Sequence, residues 1–557
     1  MTWAPNASFN DKLLVRESTP ILAVEIAGHA TVYTTGPVTS ASWTYKKILR
    51  NVSVDPSTID PRSGRWAFSS FTFQLVDADG LATAALATDA PTSDIPSLSG
   101  RRCKLWMGYA GLPQSSYEVI GLYSITSVEM SEYGVFDFRA SDPFEKLNHA
   151  LFTSFGDRWT AQLTVAAAIG ETRIFVTSHD NFTPGTPIVV VEDENRWFID
   201  TLQPSDSNAG YGLFWNGTSF DKYIELASAL IIPISTRAEL SECWTIQGNP
   251  VNLFMRLLLD DFTTVGTVQT NWPIESVRGN FTTGDGFGMD AADFDTTAIQ
   301  GERDLFVGDV SGRLVVTARA SDGYTYLRQF LTGLGFLFVR RSGLIGFRSM
   351  RVPIATGSIV SLSADNVLSV KWERKLDQAV SVMILEGDVV LDQAVTIGTF
   401  DDAEAVAAIG RREITLRVPW LFSDLNGVAV GTALAGRFLA RFGKGHQVVK
   451  CRAMPWLLTV EPGDSVFLTH PAIPDTVTGS SISAAVCEVV GAAPVFSGDD
   501  KGVEVEAWRY SGRRTGFIAP DPQTDYATDD ATTRSTYAYI CQDDGLMSDG
   551  QSGYEWI

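Results

Sequence analysis

The chain has 557 residues, 45% hydrophobic, 11% aromatic and 19% charged, with a formal net charge of -22. A single hydrophobic core stops growing at roughly 250–300 residues, so the length implies roughly three to five domains, and the composition excludes general disorder. The surplus of 65 acidic over 43 basic residues is spread without long blocks, which argues against a DNA-gripping surface built on clustered Lys and Arg and is compatible with a channel through which DNA slides.

The first residues, Met1-Thr2-Trp3-Ala4-Pro5-Asn6, have no basic region ahead of an apolar one, so no secretory signal is read there. No apolar run approaches the roughly 18–20 residues of a membrane span. Synthesis and assembly in the cytoplasm are expected. After an N-terminal segment, 1–35, strands dominate from Ser42 to Phe144. Trp66 to Leu75 reads as one aromatic strand before the turn Asp77-Ala78-Asp79-Gly80. Cys103 to Tyr109 is a second strand, and Tyr117 to Glu129 a third, broken at Gly121. Val135 to Ala140 alternates with the period of two that a half-buried strand requires. These define a first barrel or sandwich, 36–155.

A small β module follows, 156–240. Ile174-Phe175-Val176 leads through Thr183-Pro184-Gly185 to Ile188 to Val191, and Glu192-Asp193-Glu194-Asn195 separates that strand from Trp197-Phe198-Ile199. Four polar residues between strands read as a solvated hairpin turn, and they lack the spacing of a calcium loop.

Helices enter in an α+β domain, 241–350. Asn249-Pro250 is a start signal, with Leu253, Phe254, Leu257 and Leu258 on one face. A second helix is expected from Asp322, striped by Tyr324, Leu327, Phe330 and Leu331 and stopped by Gly333 and Gly335. Phe336 to Phe347 is a hairpin. Between the helices, Trp272 to Asp304 has no period and reads as a long Gly- and Asp-rich loop. Strands resume over 351–518 with one helix, whose Leu434, Phe438 and Phe442 recur every four residues, and with the turn Glu461-Pro462-Gly463-Asp464. The polar composition of 519–557 predicts a loose tail.

No constellation carries chemistry. The five histidines, His29, His149, His179, His446 and His470, show no metal-binding spacing, and there is no nucleophile elbow. Gly443-Lys444 is followed by Gly445, so it is a helix stop rather than a phosphate loop. Gly284, Gly286 and Gly288 lack the strand and helix of a dinucleotide site. Cys103, Cys243, Cys451, Cys487 and Cys541 are dispersed and odd in number, which points to buried free thiols. Paired carboxylates of a cell-wall hydrolase are not identifiable among 65 acidic residues. A carbohydrate- or receptor-binding module would expose aromatic platforms, whereas the aromatics here alternate into core positions. No catalytic, cofactor-binding or metal-ligating residue is assigned, no cofactor is expected, and the chain is not read as an enzyme.

Gly121-x-Tyr123-x-Ile125, Glu129, Phe136-x-Phe138-x-Ala140-x-Asp142-Pro143 and Leu147 together resemble the first barrel of tailed-bacteriophage tail-tip and baseplate hub proteins, siphophage and gene-transfer-agent hubs among them. The helices at Asn249, Asp322 and Ala435 to Phe442, and Pro462-Gly463-Asp464-x-Val466-x-Leu468-Thr469, follow in the order of that family. The resemblance covers about two-thirds of the chain. It implies a mainly β multidomain fold with a minority of helices, in which two tail-tube-like β-barrels, at about 36–150 and 350–515, flank an inserted β module and the small α+β domain. It also implies a homotrimer at the distal end of the virion tail, six barrels continuing the tube. Its partners would be the distal tail protein ring, the tape measure protein, central fibre or receptor-binding proteins, and genomic DNA passing without specific binding. The loop at 272–304 is the expected plug of the conduit, opening at host entry, and the inserted module the peripheral contact.

Overall fold

The computed structural model describes most of residues 7–510, with its main breaks at 14–18, 81–97, 143–146, 156–159, 200–210, 263–270 and 351–359. The turn expected at Thr183-Pro184-Gly185, the segment 519–557 and Cys541 lie outside the described residues. Among those described, no helix is long and apolar enough to cross a membrane.

A short helix, α1 (Ala7–Leu13), precedes ten strands: β1 (Pro20–Ile26), β2 (Thr31–Thr34), β3 (Thr44–Lys46), β4 (Leu49–Val54), β5 (Ser57–Asp60), β6 (Arg65–Ala67), β7 (Ser70–Val76), β8 (Arg102–Tyr109), β9 (Glu118–Glu132) and β10 (Val135–Ser141). Eight form one sheet in the order β3-β2-β1-β8-β9-β10-β7-β4. The first domain therefore takes in Pro20 to Thr34, ahead of the boundary expected at 36. Alternation decides which side chains turn inward: Phe71, Phe73 and Leu75 on β7 are buried, as is Phe138 on β10. The rings of Phe73 and Phe138 stack at 4.5 Å and 8°.

Two readings of this region change. The run from Trp66 to Leu75 is two strands, and β6 leaves the sheet to pair with β5. Gly121 does not break β9. A bulge in β9 itself, at Ile120 opposite the Leu105–Trp106 step, absorbs the irregularity without ending the strand, and the glycine makes room for the Tyr123 ring, which a Cβ at 121 would approach to 2.3 Å.

The inserted module holds β11 (Thr160–Gln162), β12 (Arg173–Val176), β13 (Ile188–Glu192), β14 (Asn195–Ile199), β15 (Tyr211–Trp215), β16 (Phe220–Glu225) and β17 (Glu239–Glu242). Its two sheets, β11-β17-β13-β14 and β12-β16-β15, enclose Ile174, Val190, Ile224 and Leu240. The acidic residues form a tight β13–β14 turn, with Asp193 at φ 51°.

The central domain comprises β18 (Trp244–Gly248), α2 (Pro250–Leu259), β19 (Ser276–Arg278), α3 (Thr296–Val307), β20 (Gly312–Val316), α4 (Gly323–Leu334), β21 (Phe336–Arg341) and β22 (Leu344–Ser349). The helix signals act through their caps. Asn249 accepts the Val251 N–H, Asp322 accepts the Thr325 N–H, and Gly335 turns left-handed at φ 68°. Gly333 is not a stop: it lies inside α4, where a Cβ would meet Val418 at 2.5 Å. The segment 272–304 is not a plain loop either, because Asp295 caps α3 by accepting the Ala298 N–H at 3.0 Å.

The last region contains β23 (Val360–Ser363), β24 (Val367–Lys375), β25 (Val382–Val390), β26 (Gln393–Asp401), α5 (Ala403–Ile409), β27 (Glu413–Arg417), α6 (Gly427–Phe442), β28 (His446–Ala453), β29 (Ser465–Pro474), β30 (Ser481–Ser497) and β31 (Asp500–Tyr510). It has two helices where one was expected. β25, β26 and β27 form their own sheet, and α6 packs Leu434, Ala435, Phe438 and Phe442 into the central core. The remaining strands run β23-β29-β30-β31-β28-β24 around an aliphatic core that includes Val449, Val466, Cys487, Val489 and Val505.

Neither large sheet is closed by hydrogen bonds: among the described residues no ladder joins β3 to β4 or β23 to β24. Each pair of end strands is nevertheless joined directly, by Lys47-Ile48 and by residues 364–366, so the two edges lie within a few residues' reach. The sheets are curled, with a seam bridged by chain rather than by a ladder, so the barrels expected at about 36–150 and 350–515 are open ones among the described residues. They also share a path. β4-β7-β10-β9-β8 and β24-β28-β31-β30-β29 each run in the chain order first, second, fifth, fourth, third, and every neighbouring pair is antiparallel.

Candidate functional site: the joint between the two barrels

In the first barrel the connection from β4 to β7 is the β5–β6 hairpin, and it leaves its own sheet entirely. The β29 ladder on β30 ends at Ser465 opposite Glu488. Just beyond, β5 takes over the vacated edge, pairing Thr58 with Gly491 and Ser57 with Ala492. On β6, Trp66 is buried against Tyr324 and Phe338 at centroid distances of 5.0 and 4.5 Å. The Tyr324 hydroxyl donates to the Trp66 carbonyl at 2.9 Å and accepts the Trp66 N–H at 3.4 Å. One hairpin of the first barrel thus engages the second barrel through backbone and the central domain through an aromatic ring.

The matching connection in the second barrel, from β24 to β28, is the long excursion that carries α6. At its end Arg441 is fully buried. Its guanidinium donates to the Glu488 carboxylate and the Tyr510 hydroxyl, and that hydroxyl donates to Glu488. Burial works against the Arg441 charge, but Glu488 and Tyr510 outweigh it and hold the group protonated above its ordinary range. Burial pushes the Tyr510 phenol well up. Beside them His446 stacks on Trp508 at 4.1 Å, and burial lowers it to about 4, opposed by Asp60 of the hairpin and reinforced by Arg62, Lys375 and Arg441. β30 therefore receives both connections, α6 at Glu488 and β5 three residues later.

The arrangement contains no nucleophile beside a base. A buried, hydrogen-bonded ion pair constrains the orientation of what it joins, and removing one partner is costly; here one nitrogen of Arg441 makes both bonds, while its Nε and Nη1 are buried without a partner among the described residues. Arg102 on β8 adds a lighter contact to the central domain, 2.8 Å from Asp293.

The residues singled out in the sequence lie elsewhere and serve packing. Gly284 and Gly286 donate their N–H groups to Asp260 at 2.5 and 2.6 Å, and a Cβ at 286 would meet the Leu257 carbonyl at 2.5 Å. Fully buried Asp285 accepts the N–H groups of Ser154 and Thr282 at 2.9 and 2.8 Å. With Trp272, Phe287, Met289 and Phe294 also buried, the segment expected to plug a conduit is fastened into the central core. Gly443 closes α6, its N–H donating to the Leu439 carbonyl at 2.7 Å. Cys103, Cys243, Cys451 and Cys487 are buried and unbridged, and burial pushes the thiols of Cys103, Cys451 and Cys487 up to about 12. His149 approaches the Gly286 carbonyl at 3.4 Å, and among the described residues no three His, Cys, Asp or Glu side chains gather as a metal site would require.

Trp66, Arg441, Glu488 and Tyr510 were not singled out by sequence reading. One signal was available: Arg441 falls seven residues after Leu434 and three after Phe438, on the apolar stripe of its own helix, where a cation demands a buried partner.

No protein-family model matches the chain, and no curated protein matches it. Among solved structures it is similar to phage tail proteins. The tail protein from Neisseria meningitidis MC58 aligns at 10% identity and TM-score 0.35, over 88% of this chain and 96% of that one. The 43 kDa tail protein of prophage MuSo2 from Shewanella oneidensis aligns at 10% identity and TM-score 0.37, over 88% and 98%. A prophage tail protein from Listeria monocytogenes EGD-e aligns at 8% identity and TM-score 0.31, over 88% and 94%.

Proposed function

We propose that the chain is a structural protein of a phage tail, the hub at its distal tip, and that it works by assembly rather than catalysis. The observation that carries this reading is the repeated five-strand path. One chain supplies two barrels of the same topology, so a three-fold assembly presents six related barrels, which is what a six-fold tube requires of the piece that caps it. The order of motifs from Gly121 to Thr469 supports the same reading. In it, the homotrimer seats on the distal tail ring, with the tape measure protein above and central fibre or receptor-binding proteins below. DNA passes at host entry along a wall that its acidic balance keeps from adhering. The barrel joint transmits displacement of the central domain to both barrels at once.

Light scattering of the purified chain, alone and with the distal ring protein, tests the assembly. The expected result is a trimer, with three-fold particles bearing a six-fold barrel ring in electron micrographs. A chain that stays monomeric in both conditions and forms no axial particle overturns the proposal.

A further inference from the structure

β24 is the terminal strand of its sheet, with β31 and β28 between it and β30. None of its residues is fully buried: Val367, Val370 and Lys375 are partly covered and the others are exposed, Leu368 and Trp372 among them. Leu376, just beyond the strand, is exposed as well, so an apolar side chain recurs every four residues. Glu373 is paired with Lys375 at 2.9 Å, which leaves Lys371 and Arg374. Lys371 stands opposite another cation, Lys450, whose partner Glu506 lies on its far side.

The first barrel carries a surface of the opposite sign. Its β9–β10 hairpin ends away from the joint: β7 begins beside the β5–β6 hairpin at Ser70 and finishes at Val76, which pairs with Val135 at the turn. From Glu129 to Tyr133 every residue is exposed, Tyr133 at 98%. Glu129 stands directly opposite Asp137, a like-charge pair that is unfavourable in isolation, and Arg139 stands opposite Ser127 instead. None of the side chains of Glu129, Glu132, Asp137, Lys371 and Arg374 makes an ion pair or hydrogen bond among the described residues. The sequence of 81–97, between β7 and β8, offers the acids no Lys or Arg, and that of 351–359, ahead of β23, offers the bases no Asp or Glu.

We infer that the end of the β9–β10 hairpin in one copy of this chain docks on β24 of a second copy. Its carboxylates meet Lys371 and Arg374, and Met130 and Tyr133 cover the exposed Leu368, Trp372 and Leu376. The two surfaces differ and lie on different barrels, so the contact is head-to-tail, each copy offering one surface to each neighbour, and such a series closes into a ring when its rotation permits. The inference rests on the hub reading for the number of copies, and it names the contact that joins them.

The test is sedimentation of the full chain, alone and with the distal ring protein. Glu129→Lys with Glu132→Lys should weaken self-association by roughly tenfold or more, and so should Lys371→Glu with Arg374→Glu. All four positions are exposed, so the thermal transition should stay in place. The chain carrying all four changes should associate again, because the reversed charges meet. Association untouched by either reversal, or not recovered with all four, overturns the inference, and a wild-type trimer then leaves the hub reading standing. Loss on reversal at β24 alone would assign that strand to another occupant, such as the acidic segment 519–557, and overturns it equally. A wild-type assembly of other stoichiometry that follows the charge rescue supports this contact and overturns the hub. A chain monomeric in both conditions overturns both.

Discussion

The core of the first barrel mixes aliphatic side chains with rings, Phe71, Phe73, Tyr123 and Phe138 among them, whereas the buried core of the second is aliphatic and cysteine-containing and has no ring among its described residues. Strand number accounts for the difference. The first sheet runs through eight strands and the second through six, with β5 and β6 joined off that path, and a wider circuit has more interior for rings to fill. The same five-strand path is thus retained while its filling follows its girth. The connection from the first strand of that path to the second also differs, a short hairpin in one barrel and the α6 excursion in the other. Both arrive at β30 of the second barrel: the first barrel's hairpin crosses to it from another sheet, whereas α6 ties it to the central core.

The sharpest way to break the comparison is to empty each core. Phe138→Ala should cost about 3–5 kcal/mol in guanidinium unfolding, because it removes a buried ring stacked on Phe73 and leaves a cavity. Val489→Ala in the second barrel should cost about 2 kcal/mol. Equal losses would mean that the first barrel repacks around the space the ring leaves.

The joint comes next. Arg441→Met should destabilise by about 3 kcal/mol, since it strands the Glu488 carboxylate in the interior. The double change Arg441→Met with Glu488→Leu should recover most of that loss. If the double variant is no better than the single one, the network holds the joint by shape rather than by charge.

Titration of the joint gives a smaller effect with a definite sign. His446 is depressed in the folded chain from its ordinary 6.5 to about 4, so between those values the unfolded chain binds the extra proton. Its contribution is fully present above about pH 6.5 and is lost as pH falls towards 4, the loss reaching about 2 kcal/mol at pH 5. Urea midpoints at pH 7 and pH 5 measure it. His446→Phe, which keeps a ring against Trp508, should flatten the difference by that amount.

How much of this was legible in the sequence follows from how local each signal is. Strand alternation in β7 and β10 and the caps at Asn249 and Asp322 depend on residues a few positions apart, and each is found where those residues put it. α3 was missed because Thr296-Thr297-Ala298-Ile299-Gln300-Gly301 presents one strongly apolar side chain and no stripe. The split at Trp66 was illegible because β5 and β6 owe their place to β30, more than 400 residues away along the chain. The joint has the same character: Arg441 was visible as a cation on an apolar face, but Glu488 and Tyr510 meet it only through the strand order.

Tyr324→Phe isolates the hairpin with the smallest change. It keeps the ring against Trp66 and deletes only the hydroxyl that donates to the Trp66 carbonyl and accepts its N–H. The expected cost is about 1 kcal/mol, confined to the hairpin. Amide exchange at Thr58 and Ile59 should then quicken by roughly fivefold, because opening of this hairpin is a local event. Exchange in β10 and β31, which hold the two barrel cores, should stay as it was. If both barrels quicken together, the hairpin is part of one cooperative unit with them and the joint is a rigid weld. If only the hairpin responds, the barrels are separately stable bodies coupled through a contact of modest strength, which is what a joint that moves in an assembly requires.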